Sequence, residues 1–356
     1  MTIRSMLAAV LLLPLSVAAQ AQDSAGIRAF SRYDFVPGEQ IVRFDDFAQD
    51  ALGDLPGGWD TNAAAEVVTI EGKPGRWLMF TRGGVFVPDL SEPLPDNFTL
   101  EFDVLASQPF TAGTRLATVI ADLSNVDQAA AWTIADSRYT VSVHPSGTSW
   151  ADRRKEGEGE AEVSVDAEPW GGVAHVSIWR QRERLRVYVN ESKVWDVPKA
   201  MTPGVAYNTI LFSVHEVEPD GRYYVGNVRL AVGAPDTRNK LLTDGRWTTN
   251  GIRFDVNSDR IRGESYGTLK EIATVLKENA TVRVRIVGHT DADGDDAANL
   301  DLSQRRAAAV KAVLTSEFGI DAARMETDGR GETEPAAGND TPAGKAANRR
   351  VEFVKL

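Results

Sequence analysis

Apolar and polar residues alternate through much of the first two-thirds of this 356-residue chain. Phe98, Leu100, Phe102 and Val104 are separated by polar residues, which is the spacing of a β-strand with one buried face. Pro, Gly, Asn and Asp residues separate this run from others of the same kind at 139–143, 174–179, 185–189 and 223–230. The pattern predicts an all-β antiparallel two-sheet sandwich of jelly-roll type, formed by residues 22–233.

The last third of the chain mixes strand and helix periods. Apolar residues recur at helical spacing from about 264 to 278, residues 282–288 alternate as a strand, and a second helix is predicted to start at Asp295 or Asp296. Short strands are predicted at 251–255, 324–327 and 350–355. This β-α-β-α-β-β order predicts an α+β domain at residues 250–356, with both helices packed on one face of a mixed sheet. A polar connector is predicted at 234–249.

The N-terminus has the features of a secretory signal. Arg4 precedes an apolar run from Met6 to Ala19, and Ala19-Gln20-Ala21 is a small-x-small cleavage site. We therefore predict a signal peptide at residues 1–21, with an apolar run too short to span a bilayer. The chain has no cysteine, which excludes a lipid-anchor cysteine and disulfides. We expect an exported protein in the periplasm or associated with the outer membrane.

Composition narrows the classes of function. A hydrophobic content of 42% is enough for two domains with their own cores. The net charge of −12 argues against a nucleic-acid partner and against anionic membrane surfaces. No nucleophile elbow, catalytic cysteine or histidine cluster is present. We predict a protein that is not an enzyme, uses no cofactor and has no metal ligands among its candidate site residues.

Three side chains near the second predicted helix form a candidate site. Asn299 and Arg306 are seven residues apart, about two helical turns, so both project from one helix face. Asp291 lies in the loop that leads from the strand into this helix. A carboxylate binds an ammonium group, and a guanidinium fork binds a carboxylate. The set therefore predicts a zwitterionic ligand, such as the α-carbon end of an amino acid.

The same region resembles the OmpA-like C-terminal domain family. The resemblance rests on Gly288-His289-Thr290-Asp291, Asn299, Leu302-Ser303-Gln304-Arg305-Arg306-Ala307 and Asn348-Arg349-Arg350-Val351-Glu352. It implies non-covalent peptidoglycan binding, with Asp291 and Arg306 holding the diaminopimelate of the stem peptide. It further implies lesser contacts from Thr290, Asn299 and Arg349. The expected function is an envelope protein that anchors an N-terminal recognition or spacer module to peptidoglycan.

Within the predicted sandwich, residues 175–198 resemble a hairpin of concanavalin-type and laminin-G-like domains. Because those folds include lectins and glycosidases, a wall-anchored glycosidase or carbohydrate-binding protein is an alternative. Retaining glycosidases need two carboxylates about 5–5.5 Å apart, and Glu101 and Asp103 on one strand have that spacing. The sandwich could otherwise bind an envelope protein. A further alternative is an outer-membrane protein whose N-terminal strands cross the bilayer ahead of a periplasmic OmpA-like domain, although such strands need about ten residues of alternation.

The loop that contains Asp291 is acidic enough to suggest calcium. An EF-hand loop has glycine at its sixth position and glutamate at its twelfth. Counted from Asp291, the glycine here is fourth and the twelfth residue is Leu302. The loop therefore does not fit that calcium-binding pattern.

Overall fold

The computed structural model describes residues 33–107, 116–121, 138–146, 149–155, 161–163, 172–205, 207–214, 217, 221–233 and 236–356. The predicted signal peptide, residues 1–21, lies outside these ranges. None of the helices in the described ranges is both long and apolar enough to cross a membrane.

The N-terminal domain is built from antiparallel strands. In chain order they are β1 (Gln40–Asp45), β2 (Trp59–Thr61), β3 (Ala64–Ile70), β4 (Lys73–Arg82), β5 (Gly84–Pro88), β6 (Asn97–Ala106), β7 (Leu116–Ala121), β8 (Arg138–Ser146), β9 (Ser149–Lys155), β10 (Ala161–Val163), β11 (Val173–Gln181), β12 (Arg184–Val189), β13 (Ser192–Val197), β14 (Thr209–Val214) and β15 (Tyr223–Val232). In the described residues, the first sheet has the order β13-β12-β11-β6-β15-β4-β3, with β1 also paired to β15. The second sheet has the order β10-β9-β8-β7-β14-β5-β2.

The two sheets face each other across a shared apolar core. Phe102 of β6 meets Phe212 of β14 with ring centroids 5.0 Å apart, and Phe80 of β4 meets Phe86 of β5 at 4.6 Å. The alternating apolar residues of β6 therefore point into the sandwich, as their period requires. This confirms the predicted antiparallel sandwich, while its concanavalin-like topology stays a prediction.

The C-terminal domain is a four-stranded mixed sheet with helices. Its strands are β16 (Arg246–Thr249), β17 (Val284–His289), β18 (Met325–Gly331) and β19 (Val351–Lys355), in the order β16-β19-β17-β18. Its helices are α1 (Tyr266–Glu278), α2 (Asp296–Ser316) and α3 (Pro342–Asn348). β17 and β18 are parallel, and the other pairs are antiparallel. The predicted α+β class with helices on a mixed sheet is confirmed.

Three details of this domain differ from the predicted order. One edge strand of the sheet is β16, which lies within the segment predicted as a connector. It packs on β19 because Trp247 stacks on Phe353 at 5.5 Å and is fully buried. Ahead of it lie a helical turn at Thr237–Asn239 and a wider turn at Lys240–Asp244. Residues 251–255 are not a strand, and only Phe254 forms an isolated bridge, to Ile261. The third helix, α3, forms because Pro342 suits its first turn and the Thr341 hydroxyl accepts from the Gly344 amide at 3.1 Å.

β17 and α2 approach closely, and this contact fixes the position of the candidate loop. A Cβ at Gly288 would lie only 2.2 Å from the carbonyl oxygen of Ser303 on α2. Glycine therefore lets the helix lie directly on the strand. As a result the loop between them, residues 290–295, stands at the carboxyl end of β17.

The outer face of the first sheet is buried against the C-terminal domain. Residues 32–356 form one compact unit. Arg253 of the C-terminal domain places Nη2 2.6 Å from Oε2 of Glu101, whose residue is only 2% exposed. Beside this pair, a segment around Phe35 packs on Trp179 and Tyr188 of the sheet. A Cβ at Gly267 on α1 would lie 2.0 Å from the Phe35 carbonyl oxygen, so the segment is wedged between the two domains.

Candidate functional site

The loop between β17 and α2 is held by side chains of its own helix. Asp295 caps α2 by accepting from the amides of Ala297 and Ala298 at 3.0 and 3.1 Å. Asn299, buried one turn later, donates from Nδ2 to the carbonyl oxygens of Asp293 at 3.0 Å and Asp291 at 3.4 Å. The same Nδ2 donates to Oε2 of Glu332 at 2.6 Å. Asn299 thus uses its amide nitrogen to fix the backbone of the loop.

Asp291 is mostly buried and paired with a cation. Arg349 donates from Nη1 to Asp291 Oδ2, and the Asp293 amide donates to Oδ1 at 3.3 Å. Lys345 donates from Nζ to Asp293 Oδ1 at 2.7 Å. Lys345 lies on α3 and Arg349 caps its C-terminus, so one short helix supplies both cations that contact the acidic loop.

Arg306 lies on the same helix as Asn299, about two turns further along. Its Nε donates to the Ser258 carbonyl oxygen at 3.0 Å, and its guanidinium carbon lies 4.9 Å from the centre of the Phe254 ring. Burial lowers the pKa of Arg306 below its ordinary value, the Asp291 charge raises it, and the Arg349 charge lowers it again. Arginine remains protonated under all these influences. Arg306 therefore carries a positive charge that interacts with the charges of Asp291 and Arg349.

The structure thus brings Asp291, Arg306 and Arg349 together. Thr290 is buried at the base of the loop, where its amide donates to the Gly331 carbonyl oxygen at 2.9 Å. Its hydroxyl has no hydrogen-bond partner among the described residues. Sequence reasoning missed the contributions of Phe254 and Lys345. Both act through contacts between segments far apart in the chain, for which no local spacing gives a signal.

His289 is the last residue of strand β17, next to the candidate loop. Its Nε2 lies 3.5 Å from Glu352 Oε1 on β19. Burial, aided by the charge of Arg350, lowers the pKa of His289 to about 4. The imidazole is therefore neutral near pH 7.

The carboxylate pair considered for glycoside hydrolysis does not line an open cleft. Glu101 and Asp103 are 2% and 6% exposed, beneath the C-terminal domain. Asp103 Oδ1 lies 2.7 Å from His175 Nδ1. Burial raises the pKa of Glu101, but Arg253 and His175 outweigh it and lower the pKa to about 2. A glycosidase acid needs a raised pKa, so this pair is an interdomain ion cluster instead.

A mixed sheet with packed helices, and a loop at the end of a central strand in which Asp291 pairs with Arg349, is the arrangement of the OmpA-like class. Residues 253–349 match the OmpA family. The outer-membrane lipoprotein YfiB of Pseudomonas aeruginosa is 40% identical over 116 residues, which cover 32% of this chain and 68% of that protein. The chain therefore belongs to the OmpA family.

Other relatives also match only part of the chain. Outer membrane porin F of Pseudomonas aeruginosa is 41% identical over 101 residues, which cover 28% of this chain and 29% of that protein. The chain thus spans less than a third of the length of that relative. The solved peptidoglycan-associated lipoprotein from Burkholderia pseudomallei has 30% sequence identity, with coverage of 34% of this chain and 98% of that chain and a TM-score of 0.29.

Proposed function

We propose that this protein binds peptidoglycan non-covalently through the diaminopimelate of the stem peptide. Asp291 binds the ammonium group of the free zwitterionic end, and Arg306 binds its carboxylate. The observation that carries the proposal is the convergence of Asp291, Arg306 and Arg349 from three separate segments on one site. A carboxylate and a guanidinium group side by side complement the ammonium and the carboxylate of a zwitterion, respectively.

The other residues of the site have supporting roles in this proposal. Arg349 holds Asp291 and adds a positive charge that favours an anionic peptide. Asn299 keeps the Asp291 carbonyl in place through its amide, and Thr290 forms the base of the loop. No step of this function requires catalysis. Family membership and the outer-membrane relatives support an envelope location, at the outer membrane or in the periplasm.

In this proposal the C-terminal domain tethers the sandwich to peptidoglycan. The sandwich serves as a recognition or spacer module, and its own ligand is a carbohydrate or an envelope protein in this proposal. Its paired carboxylates are sealed under the C-terminal domain, which favours this role over hydrolysis.

Calorimetric titration of the full chain with a diaminopimelate-containing stem peptide tests the proposal. Charge-assisted hydrogen bonds contribute roughly 1.5–3 kcal/mol, so Asp291→Ala and Arg306→Ala should each weaken binding by about tenfold to a hundredfold. Arg305→Ala is the matched control, because Arg305 is exposed on the same helix and pairs with Asp301. It should bind as the wild type does.

A second ligand makes the test specific. Lysine is diaminopimelate without the second carboxylate, so a lysine-containing stem peptide should bind the wild type less tightly. Because that peptide offers Arg306 nothing to bind, Arg306→Ala should have no further effect on it. Wild-type binding retained by folded Arg306→Ala with the diaminopimelate peptide would refute this assignment.

A further inference from the structure

The sandwich touches the helix that supports the candidate site. Phe44 on β1 lies beneath Arg349, with the guanidinium carbon 5.6 Å from the ring centre. Past the end of β1, Gln49 Nε2 approaches the Asp340 carbonyl oxygen just before α3, at 3.5 Å. The first strand of the sandwich and the turn after it therefore pack along α3. This is the helix whose Lys345 and Arg349 contact the acidic loop.

Arg349 experiences opposing influences at this position. Asp291 attracts it, whereas Arg229, the cross-strand neighbour of Phe44 on β15, repels it. Burial, the charge of Arg253 and then the charge of Arg349 together lower the pKa of Arg229 to about 9, against a raising effect of Glu101. A cation over an aromatic face is attracted to the ring. Phe44 thus offers Arg349 a favourable surface on the side where a second cation opposes it.

We propose that Phe44 is a positioning residue for the stem-peptide site and acts through Arg349. Phe44 holds the Arg349 guanidinium against Asp291, and Arg349 holds the carboxylate in the orientation that the ligand ammonium needs. The sandwich is then part of the binding site of the neighbouring domain, in addition to being held by it. This inference rests on the proposed function and adds a residue about 250 positions away from the loop it serves.

The test compares variants of the full chain by calorimetric titration with the diaminopimelate-containing stem peptide. Phe44→Leu keeps the apolar bulk and removes the aromatic face, and should weaken binding about two- to fivefold. Phe44→Tyr keeps the aromatic face and should bind within twofold of the wild type. Phe44 is only partly buried, so both variants should melt within a few degrees of the wild type.

A double-mutant cycle separates positioning from a structural role. In an Arg349→Ala background, Phe44→Leu should leave the affinity unchanged, because the residue through which it acts is gone. An equal loss in both backgrounds, or a Phe44→Tyr variant as weak as Phe44→Leu, would overturn the inference. If the wild-type chain binds the peptide and Phe44→Leu binds it equally well, this inference alone is overturned. If the wild-type chain does not bind the peptide, the proposed function is overturned as well.

Discussion

The ion cluster between the two domains should dominate the stability of their interface, and Glu101→Gln tests this. Glu101 lies within ion-pair distance of three cations: Arg253 Nη2 at 2.6 Å, His175 Nε2 at 3.5 Å and Arg229 Nε at 4.0 Å. Glutamine keeps the shape of the side chain and removes its charge. The substitution therefore leaves the buried Arg229 and the half-buried Arg253 without their shared carboxylate.

Two lines of reasoning give the same magnitude for this loss. Removing one partner of a buried ion pair costs about 3–5 kcal/mol. Independently, the pKa of Glu101 falls from 4.5 to about 2 against the effect of burial, and this difference corresponds to about 3 kcal/mol. We expect Glu101→Gln to lower the free energy of unfolding by about 3 kcal/mol near pH 7.

Urea unfolding followed by tryptophan fluorescence measures this change, with circular dichroism as a second probe. Asp196→Asn is the matched control, because Asp196 forms an exposed pair with Arg184 on the edge of the same sheet, at 2.7 Å. Such a surface pair contributes about 0–1 kcal/mol. If Glu101→Gln and Asp196→Asn shifted the unfolding midpoint equally, the interdomain cluster would not have the energetic role argued for it.

Three further outcomes are expected. Burial lowers the pKa of His175, but the hydrogen bond to Asp103 and the nearby Glu101 carboxylate outweigh it and raise the pKa to about 9. The protonated imidazole therefore contributes about 3 kcal/mol of stability. This contribution is complete below the ordinary pKa of 6.5 and is lost as pH rises through about 9. Urea titrations across this range should show that slope, and His175→Gln should flatten it. Gly288→Ala should lower the melting temperature measured by calorimetry, because its methyl group would meet the Ser303 carbonyl oxygen at 2.2 Å. Trp247→Ala should cost about 3–5 kcal/mol in urea unfolding, and a loss below 1 kcal/mol would contradict the packing of β16 on β19.

Local pattern predicted the helix that carries two residues of the candidate site. Asn299 and Arg306 share a helix face because seven residues make about two turns, and the structure has both on α2. The position of Asp291 in the loop at the end of β17 was predicted from its place directly after the strand pattern. The contact of Arg349 with Asp291 could not come from spacing, since the two are 58 positions apart. Only the resemblance to the OmpA-like family suggested that the closing block belongs to the same site.

The polar face of β6 shows where pattern alone is insufficient. Thr99, Glu101 and Asp103 alternate with apolar residues, which is also the pattern of a strand with one face in water. In the structure these polar residues are buried, because the segment before β1 covers Thr99 and the C-terminal domain covers Glu101. A single sequence does not distinguish a polar face in solvent from one that meets complementary charges. Arg253, which neutralises Glu101, lies in a segment whose pattern predicted only a short strand.

This buried polar face bears on how the C-terminal domain should be studied. A fragment starting at Asn250 would lack β16 and so expose the Phe353 side of the core against which Trp247 stacks. It would also expose Arg253, which the sandwich neutralises, and remove Phe44 from beneath Arg349. Each of these losses perturbs a different part of the domain: an edge of the sheet, a buried charge and the cation that holds Asp291. We therefore expect the affinity of such a fragment to differ from that of the intact protein. Every binding test should use the full chain.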